Sequence, residues 1–417
     1  MMKFFKNLIA SAVALVIAVT TSSMNFIVSA NQNTSSNITK ELKQKICIEE
    51  YEDLLLSLYA EEHKTVEFPV EYGGIYYDGT CGAVTICLTD LENSKKYSKY
   101  FKKTEVNIKK VKNSLNELND TYQYISDHMI ENNVTVVSVS EKYNDIRVSV
   151  HSNNDKSLLM NFLDSNGYNS ELVTFEENQM PLELAPSSDT SDEKNSTINN
   201  RANSDVNYAY AGSKIMANYY LGGSYDATIG ANAYNPSTNQ YGILTAGHLV
   251  TNNGITSYSN SSSVIFNNNS SFTYFFGGVC DVAFIPFNSN NTFVTTPSLK
   301  NGSITTCIYD TQPIVSPYMN GIEIVKYGLT TGRKTGDITS LSTSVTYAGN
   351  ITISDVIQYD IDNAGGDSGA PIGIEYSNIN DGLHFMGIHS GGNGTTGYAT
   401  KLTNIENYLG VVIIKAI

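Results

Sequence analysis

From about residue 208 to its end, the chain carries few charges and many Gly, Asn, Ser, Thr and Tyr. Its apolar residues fall in short alternating runs, cut by turn signals such as Asn253-Gly254, Asn301-Gly302 and Asp381-Gly382. A period of two is what a strand needs to put one face on a core, and these dipeptides supply the conformations of tight turns. Helical spacing appears only at residues 403–409, close to the end. Short strands at regular intervals predict an all-β sandwich or barrel for this half, closed by one helix.

The half before it reads differently. Residues 185–197 are polar, rich in Ser and Asp and nearly free of large apolar groups, and the tract continues to about residue 207. Such a run cannot bury a core, and exposed runs of this kind are favoured sites of proteolysis. Upstream, residues 38–62 have helical periodicity, with Leu42, Ile46, Leu54, Leu55 and Leu58 available for one face. Residues 104–131 read as a second helix, with Val111, Leu115, Leu118, Tyr122 and Ile125 recurring three or four apart. Residues 74–77 and 83–88 read as a hairpin, and 134–139 and 146–150 as further strands. The sum is a small α+β domain.

Residues 1–30 begin with Lys3 and Lys6, run through an apolar core too short for a comfortable span and end in Val28-Ser29-Ala30. That is the pattern of a cleaved secretory signal, so the chain is expected outside the cell, with no membrane anchor after cleavage. The expected division is therefore 1–30 signal peptide, 31–184 α+β domain, 185–207 cleavable linker and 208–417 β-rich domain. A net charge of −15 argues against nucleic acid and anionic membranes as partners. Of five cysteines, Cys47, Cys81 and Cys87 lie upstream, which leaves an odd one there. Cys280 and Cys307 are the only pair that could bridge within the second half, and an exported protein can oxidise them. No Cys or His spacing resembles a zinc site, so neither a metal nor another cofactor is expected.

Gly365-Gly366-Asp367-Ser368-Gly369-Ala370-Pro371 is the stretch richest in chemistry. Glycines on both sides allow a tight turn that leaves the Ser368 hydroxyl reachable and frees the Gly366 and Ser368 amides to aim at one point. A serine hydroxyl is a poor nucleophile until a base takes its proton. Residues 241–248 read as an apolar strand running into a small-residue turn that presents His248. Asp281 opens a strongly apolar strand, where an acid is either a cap or the buried partner of a charged base. The order His248, Asp281, Ser368 is one of the known orders for a catalytic triad. Beyond residue 207 the only other histidines are His384 and His389, so the base has few competitors.

Leu244-Thr245-Ala246-Gly247-His248, Asp281-Val282-Ala283-Phe284 and the Ser368 segment together resemble the chymotrypsin-like serine peptidase family. Residues 326–332 and 387–392 resemble two motifs of its secreted bacterial streptogrisin and α-lytic branch. The resemblance covers roughly residues 209–417. It implies two six-stranded antiparallel barrels with the triad between them, and a preceding α+β pro-domain that assists folding and inhibits. Residues 72–79 and 144–152 resemble that pro-region more loosely. Two departures stand out: Leu249 follows His248 where the branch usually has cysteine, and Lys326 replaces an arginine that pairs with the aspartate before the serine. Lys326 with Asp367 is the implied equivalent.

The resemblance also implies that Ser390, Gly391 and Gly392 pair with substrate backbone as an added strand. Residues 387–392 resemble the corresponding stretch of bacterial glutamyl endopeptidases, whose histidine contacts an acidic side chain, a role that falls to His389. Asp362 stands six residues before Ser368, where trypsin-like members carry the acid that receives Lys or Arg, and Asn363 beside it suits either preference. The expectation is a secreted bacterial endopeptidase acting on polypeptides, cleaving after Glu or Asp, monomeric once matured at a site between residues 201 and 211, and inhibited by its own pro-domain. The alternatives are a Lys/Arg-specific protease and a secreted homologue that binds polypeptide without cutting.

Overall fold

The computed structural model describes residues 39–60, 65–182, 207–218, 224–250, 255–258, 272–287, 293–294, 296–301, 304–309, 318–375 and 382–416. The expected signal peptide and nearly all of the expected linker lie outside these residues. Helix α1 (Lys40–Ser57) buries Gln44, Cys47, Ile48, Glu50, Tyr51, Leu54 and Leu55, whereas Leu42 is exposed. Of the expected face, Leu54 and Leu55 are buried and Leu58 packs against the core, and two polar residues join them because they find partners inside. Glu50 accepts the backbone N–H groups of Lys102, Lys103 and Thr104 at 2.7, 2.8 and 3.0 Å. Gln44 exchanges hydrogen bonds with the Glu323 backbone at 2.9 Å in both directions. Charge-assisted bonds of this kind offset the cost of burying a carboxylate.

Strands β1 (Tyr72–Asp78) and β2 (Ala83–Leu88) form the expected antiparallel hairpin. The segment read as the start of a long second helix is instead β3 (Glu105–Lys110), parallel to β2. Val106 and Ile108 alternate with polar residues there, and the open edge of β2 rewards that period-two pattern with a ladder of hydrogen bonds. Helix α2 (Leu115–Asp127) begins only where Ser114 accepts the Glu117 N–H at 3.2 Å, the cap that a Ser-x-x-Glu start provides. There follow β4 (Val134–Ser140), β5 (Asp145–Val150), helix α3 (Asn153–Ser165) and β6 (Val173–Phe175).

The C-terminal region is mostly strand. β7 (Ala231–Asn235), β8 (Gln240–Thr245), β9 (Thr273–Gly277) and β10 (Cys280–Pro286) share one sheet in the order β9-β10-β8-β7, with Val412–Ile413 beyond β7. Next come β11 (Glu323–Gly328), β12 (Gly332–Tyr347), β13 (Ile351–Tyr359), β14 (Pro371–Glu375), β15 (Leu383–Gly392) and β16 (Gly397–Lys401). Their antiparallel pairings run β11-β12-β13-β16-β15-β14 and return to β11. Among the described residues the upstream strands make no such circuit. The sheet carrying β8 and the small sheet of Lys214–Asn218, Ser224–Thr228 and Ile255–Tyr258 are open paths, so the expected pair of barrels is not complete there. Helix α4 (Leu402–Leu409) ends at Gly410, whose φ of 61° makes a left-handed cap.

Both regions lie within one compact unit, Lys40–Ile417. β4 pairs with β12 in the register Ser138↔Thr343, Val137↔Ser344 and Val136↔Val345. Beside that ladder Ser344 Oγ bonds Tyr122 OH at 2.8 Å and Ser126 Oγ at 2.7 Å, and Ser126 bonds Ser354 at 3.0 Å. At the other flank, the Tyr77 N–H donates to the Asn320 carbonyl at 2.8 Å. A methyl on Gly321 (φ 86°) would strike the Tyr77 carbonyl oxygen. Leu118, Ile125 and Val137 share one apolar cluster with Ile338, Ile357 and Tyr359.

The expected Cys280–Cys307 bridge is not formed: all five cysteines are free thiols. Cys280 is buried in the cluster that also holds Ile308. Since neighbours along a strand face opposite ways, Cys307 points away from that cluster and is partly exposed. Among the described residues no helix is long and apolar enough to cross a membrane, and no His/Cys/Asp/Glu group could hold a metal ion.

One half-buried acid at the seam makes stability depend on pH. Glu141, just after β4, lines a cavity of about 430 Å³ with Tyr51, Leu55 and Phe68 from one region and Tyr318, Leu341 and Lys401 from the other. Its side chain accepts the Ile75 N–H at 2.5 Å, and Lys401 is drawn off to Asp355. Burial pushes the Glu141 carboxyl up to about 7, with the Ile75 bond opposing. A carboxyl that binds its proton more tightly in the folded chain contributes stability below its unfolded pKa, near 4.3, and loses that contribution as pH rises through about 7. Glu141→Gln is therefore expected to gain about 2–3 kcal/mol relative to the parent on going from pH 4 to pH 8. Denaturant melts of both chains at the two pH values check this, and parallel pH profiles would contradict it.

Candidate active site

β8 carries the chain into a single turn, Gly247–Leu249, that places His248 beside β10. A methyl on Gly247 would collide with the Phe275 carbonyl oxygen and the Val282 backbone, so only glycine lets the turn sit this close to β9 and β10. Gly247→Ala is expected to cost about 1–3 kcal/mol by overpacking and to displace His248. Thermal melts together with labelling of Ser368 by a fluorophosphonate test both effects; an unchanged melt would refute the close approach.

Asp281, the second residue of β10, is fully buried. Its Oδ1 accepts the His248 backbone N–H at 2.8 Å and its Oδ2 lies 2.7 Å from His248 Nδ1. Its own N–H donates to Thr400 Oγ1 at 3.0 Å. The far ring nitrogen, Nε2, is 3.1 Å from Ser368 Oγ. The two contacts demand one tautomer: the proton on Nδ1 faces the carboxylate, and the lone pair on Nε2 faces the serine hydroxyl. An imidazole held this way can take the hydroxyl proton, and the carboxylate stabilises the cation that results.

Ser368 sits on a turn that its neighbours build. Asp367 N–H donates to the Ala364 carbonyl at 3.1 Å, and Gly366 has the positive φ, 96°, which the third position of such a turn needs. Thr330 Oγ1 holds the Gly365 carbonyl at 2.6 Å and Thr228 Oγ1 holds that of Gly366 at 2.8 Å. With the carbonyls turned inward, the Gly366 and Ser368 N–H groups have no acceptor among the described residues. Gly369, at φ 89°, carries the chain back under Thr228 and Thr245.

Asp367 anchors this turn. It and Lys326 are both fully buried, with Nζ 2.6 Å from Oδ2. Its Oδ1 also accepts the Thr330 and Thr331 N–H groups at 2.9 and 3.1 Å, and its Oδ2 accepts the Thr331 hydroxyl at 2.7 Å. Burial works to raise the Asp367 carboxyl, but Lys326 and the threonine donors hold it below the usual carboxylate range.

The residues expected to touch substrate are distributed unevenly. Asp362 is an exposed side chain 3.6 Å from Lys334 Nζ. The Asn363 amide binds the Ile361 and Thr396 carbonyls at 3.1 and 3.0 Å, tying down the loop before β16. His389 is 2 % exposed, its Nδ1 bonds Tyr359 OH, and burial, with Lys326 nearby, holds its imidazole well below the usual range and hence neutral. The Ser390 hydroxyl turns inward and donates to Asp281 Oδ2. Gly391 leaves room for the Tyr347 ring, and Gly392 for Asn363 and the Thr396 carbonyl. Thr228, Thr400 and Tyr347 also shape the site, and no motif marks them in the sequence.

The chain matches no known family profile and no curated protein. Among solved structures it is similar to Thermobifida fusca protease A at 22 % identity and TM-score 0.39, over 50 % of this chain and 100 % of that one. Nocardiopsis protease aligns at 20 % identity and TM-score 0.37, over 50 % of this chain and 99 % of its own. A glutamic acid specific serine protease that uses a histidine triad in substrate binding aligns at 19 % and TM-score 0.38, over 49 % and 100 %.

Proposed function

We propose that this chain is a secreted serine endopeptidase of chymotrypsin-like architecture, two barrels flanking the triad, made with a signal peptide and an inhibitory pro-domain and active as a monomer on polypeptides. The observation that carries the reading is the hydrogen-bonded line Asp281–His248–Ser368 beside two backbone amides that have no acceptor among the described residues. Ser368 Oγ attacks the scissile carbonyl carbon while His248 takes the hydroxyl proton. The carbonyl oxygen gains the negative charge and is met by the Gly366 and Ser368 N–H groups. His248 then returns the proton to the amine as the C–N bond breaks, leaving an ester on Ser368. Water, deprotonated by the same imidazole, hydrolyses that ester and restores the serine.

Cleavage after Glu or Asp is supported by two features. The acid that argued against it, Asp362, already has Lys334 as a counter-ion and faces solvent. His389 is neutral, so a substrate carboxylate would be met by a hydrogen-bond donor in place of a full charge. The test is a mass-spectrometric cleavage profile on a mixed peptide library, comparing the purified protein with Ser368→Ala. Serine-dependent cuts after Glu or Asp bear the reading out. Cuts after Lys or Arg would move the specificity to Asp362, and no serine-dependent cutting by folded protein would leave a polypeptide-binding homologue.

A further inference from the structure

Asp281 has a second line of donors, and it ends on a residue that no motif marks. Its Oδ2 receives both the His248 Nδ1–H and the Ser390 hydroxyl. A carboxylate can only accept, so the single proton of Ser390 Oγ points at Asp281. The other contact of Ser390 Oγ is Tyr347 OH at 2.7 Å. Since the serine proton is committed, the tyrosine must be the donor. The order is therefore Tyr347 O–H to Ser390 O–H to Asp281 carboxylate, with the His248 Nδ1–H meeting the same carboxylate oxygen. Tyr347 is 1 % exposed, and burial, with Asp281 close by, raises its hydroxyl well above the usual range, so it keeps its proton.

The surroundings fix the ring. Phe276 packs edge-on against Tyr347 with centroids 5.5 Å apart, and the same Phe276 ring lies 5.8 Å from that of His248. A methyl on Gly391 would come within 2.9 Å of the Tyr347 hydroxyl oxygen, so the glycine after Ser390 makes room for the contact. The Tyr347 backbone is bridged to Leu182, at the end of the described N-terminal region.

We infer that Tyr347 is a positioning residue for the proposed reaction, acting through Ser390 to fix the orientation and basicity of the Asp281 carboxylate that holds His248. The inference rests on the serine hydrolase reading of the site. Hydrogen bonds in series polarise one another, so removing the outermost donor weakens the Ser390 bond to Asp281. A carboxylate with weaker donors holds an adjacent imidazolium more tightly. Its hydroxyl partner, no longer tethered, is also free to rotate.

The test uses the protein recovered from expression of the full chain, comparing Tyr347→Phe, Ser390→Ala and the double variant. Phenylalanine keeps the ring and its packing, so folding is not what changes. The readout is the rate at which a fluorophosphonate labels Ser368 as a function of pH. In Tyr347→Phe the acid limb is expected to move to higher pH by about half a unit and the plateau rate to fall about 3- to 10-fold. Because Tyr347 acts through Ser390, the double variant should move no further than Ser390→Ala alone. An unmoved limb, or shifts that simply add, would overturn the inference. Should the parent chain not label at any pH, the hydrolase reading fails by itself. The far-downfield proton resonance of His248 Nδ1–H then decides on Tyr347, moving alike in both single variants if the line of donors is right and staying put if it is not.

Discussion

Replacing Ser368 by alanine is expected to lower peptide-bond hydrolysis about 10⁶-fold, and adding His248→Ala to the same chain is expected to cost almost nothing more. The reason is that the two side chains perform one proton transfer. With the hydroxyl gone, the imidazole 3.1 Å away has nothing to deprotonate. About 10³-fold acceleration over water should survive, because the Gly366 and Ser368 backbone N–H groups are still there to meet a developing oxyanion. Single-turnover cleavage of a peptide ester and the matching amide measures all three chains. Losses that multiply in the double variant would mean that serine and histidine act independently, which the shared hydrogen bond does not allow.

Lys326→Met is expected to destabilise the folded chain by about 3–5 kcal/mol and to stop labelling of Ser368. Methionine fills much of the volume but leaves the Asp367 carboxylate buried without its cation. Its hydrogen bonds to Thr330 and Thr331 remain and cannot replace a full charge. In the parent, Asp367 is held below the usual range, so its contribution is present above the unfolded carboxylate pKa and lost as pH falls through the folded one. In Lys326→Met that sign reverses: the orphaned carboxyl takes up a proton more readily, so the variant should recover part of the deficit in acid. Denaturant melts of both chains at pH 4 and pH 7 settle it, and a deficit that grows on acidification would count against the buried pair. Lys326→Arg is not a mild substitute, since a planar fork must fit where a fully buried ammonium now sits.

The chemistry of the site was more legible in the sequence than its support. His248 and Ser368 stand in motifs where small residues flank a polar one, because a side chain that must be reached needs a backbone that gives way, whereas Asp281 opens an apolar strand and is buried. Tyr347 and Thr400 lie inside ordinary strand sequence and act by where the sheet carries them, which spacing along the chain does not encode. Ser390 was legible as part of a strand but not in the direction of its hydroxyl. In the N-terminal region, the hairpin of β1 and β2 and the strands β4 and β5 follow from their apolar patterning. The face of α1 follows only in part, through Leu54 and Leu55, because Gln44 and Glu50 are polar by type and buried by partnership. Residues 105–110 were drawn into a helical reading by apolar residues further on, until the free edge of β2 took them as a strand. Cys280 and Cys307 looked like a pair only because they were the two thiols in their half.

The pairing of β4 with β12 has a consequence on the ribosome. Ser138 meets Thr343, so the partner of β4 is made about 200 residues after it. At ordinary synthesis rates of about 5–20 residues per second, that interval is roughly 10–40 s. Throughout it, a seven-residue run of Val, Thr and Ser that is buried on both faces in the finished protein has one ladder of N–H and C=O groups unclaimed. A nascent chain that must guard a bare strand edge for so long is open to pairing with neighbouring chains during that wait.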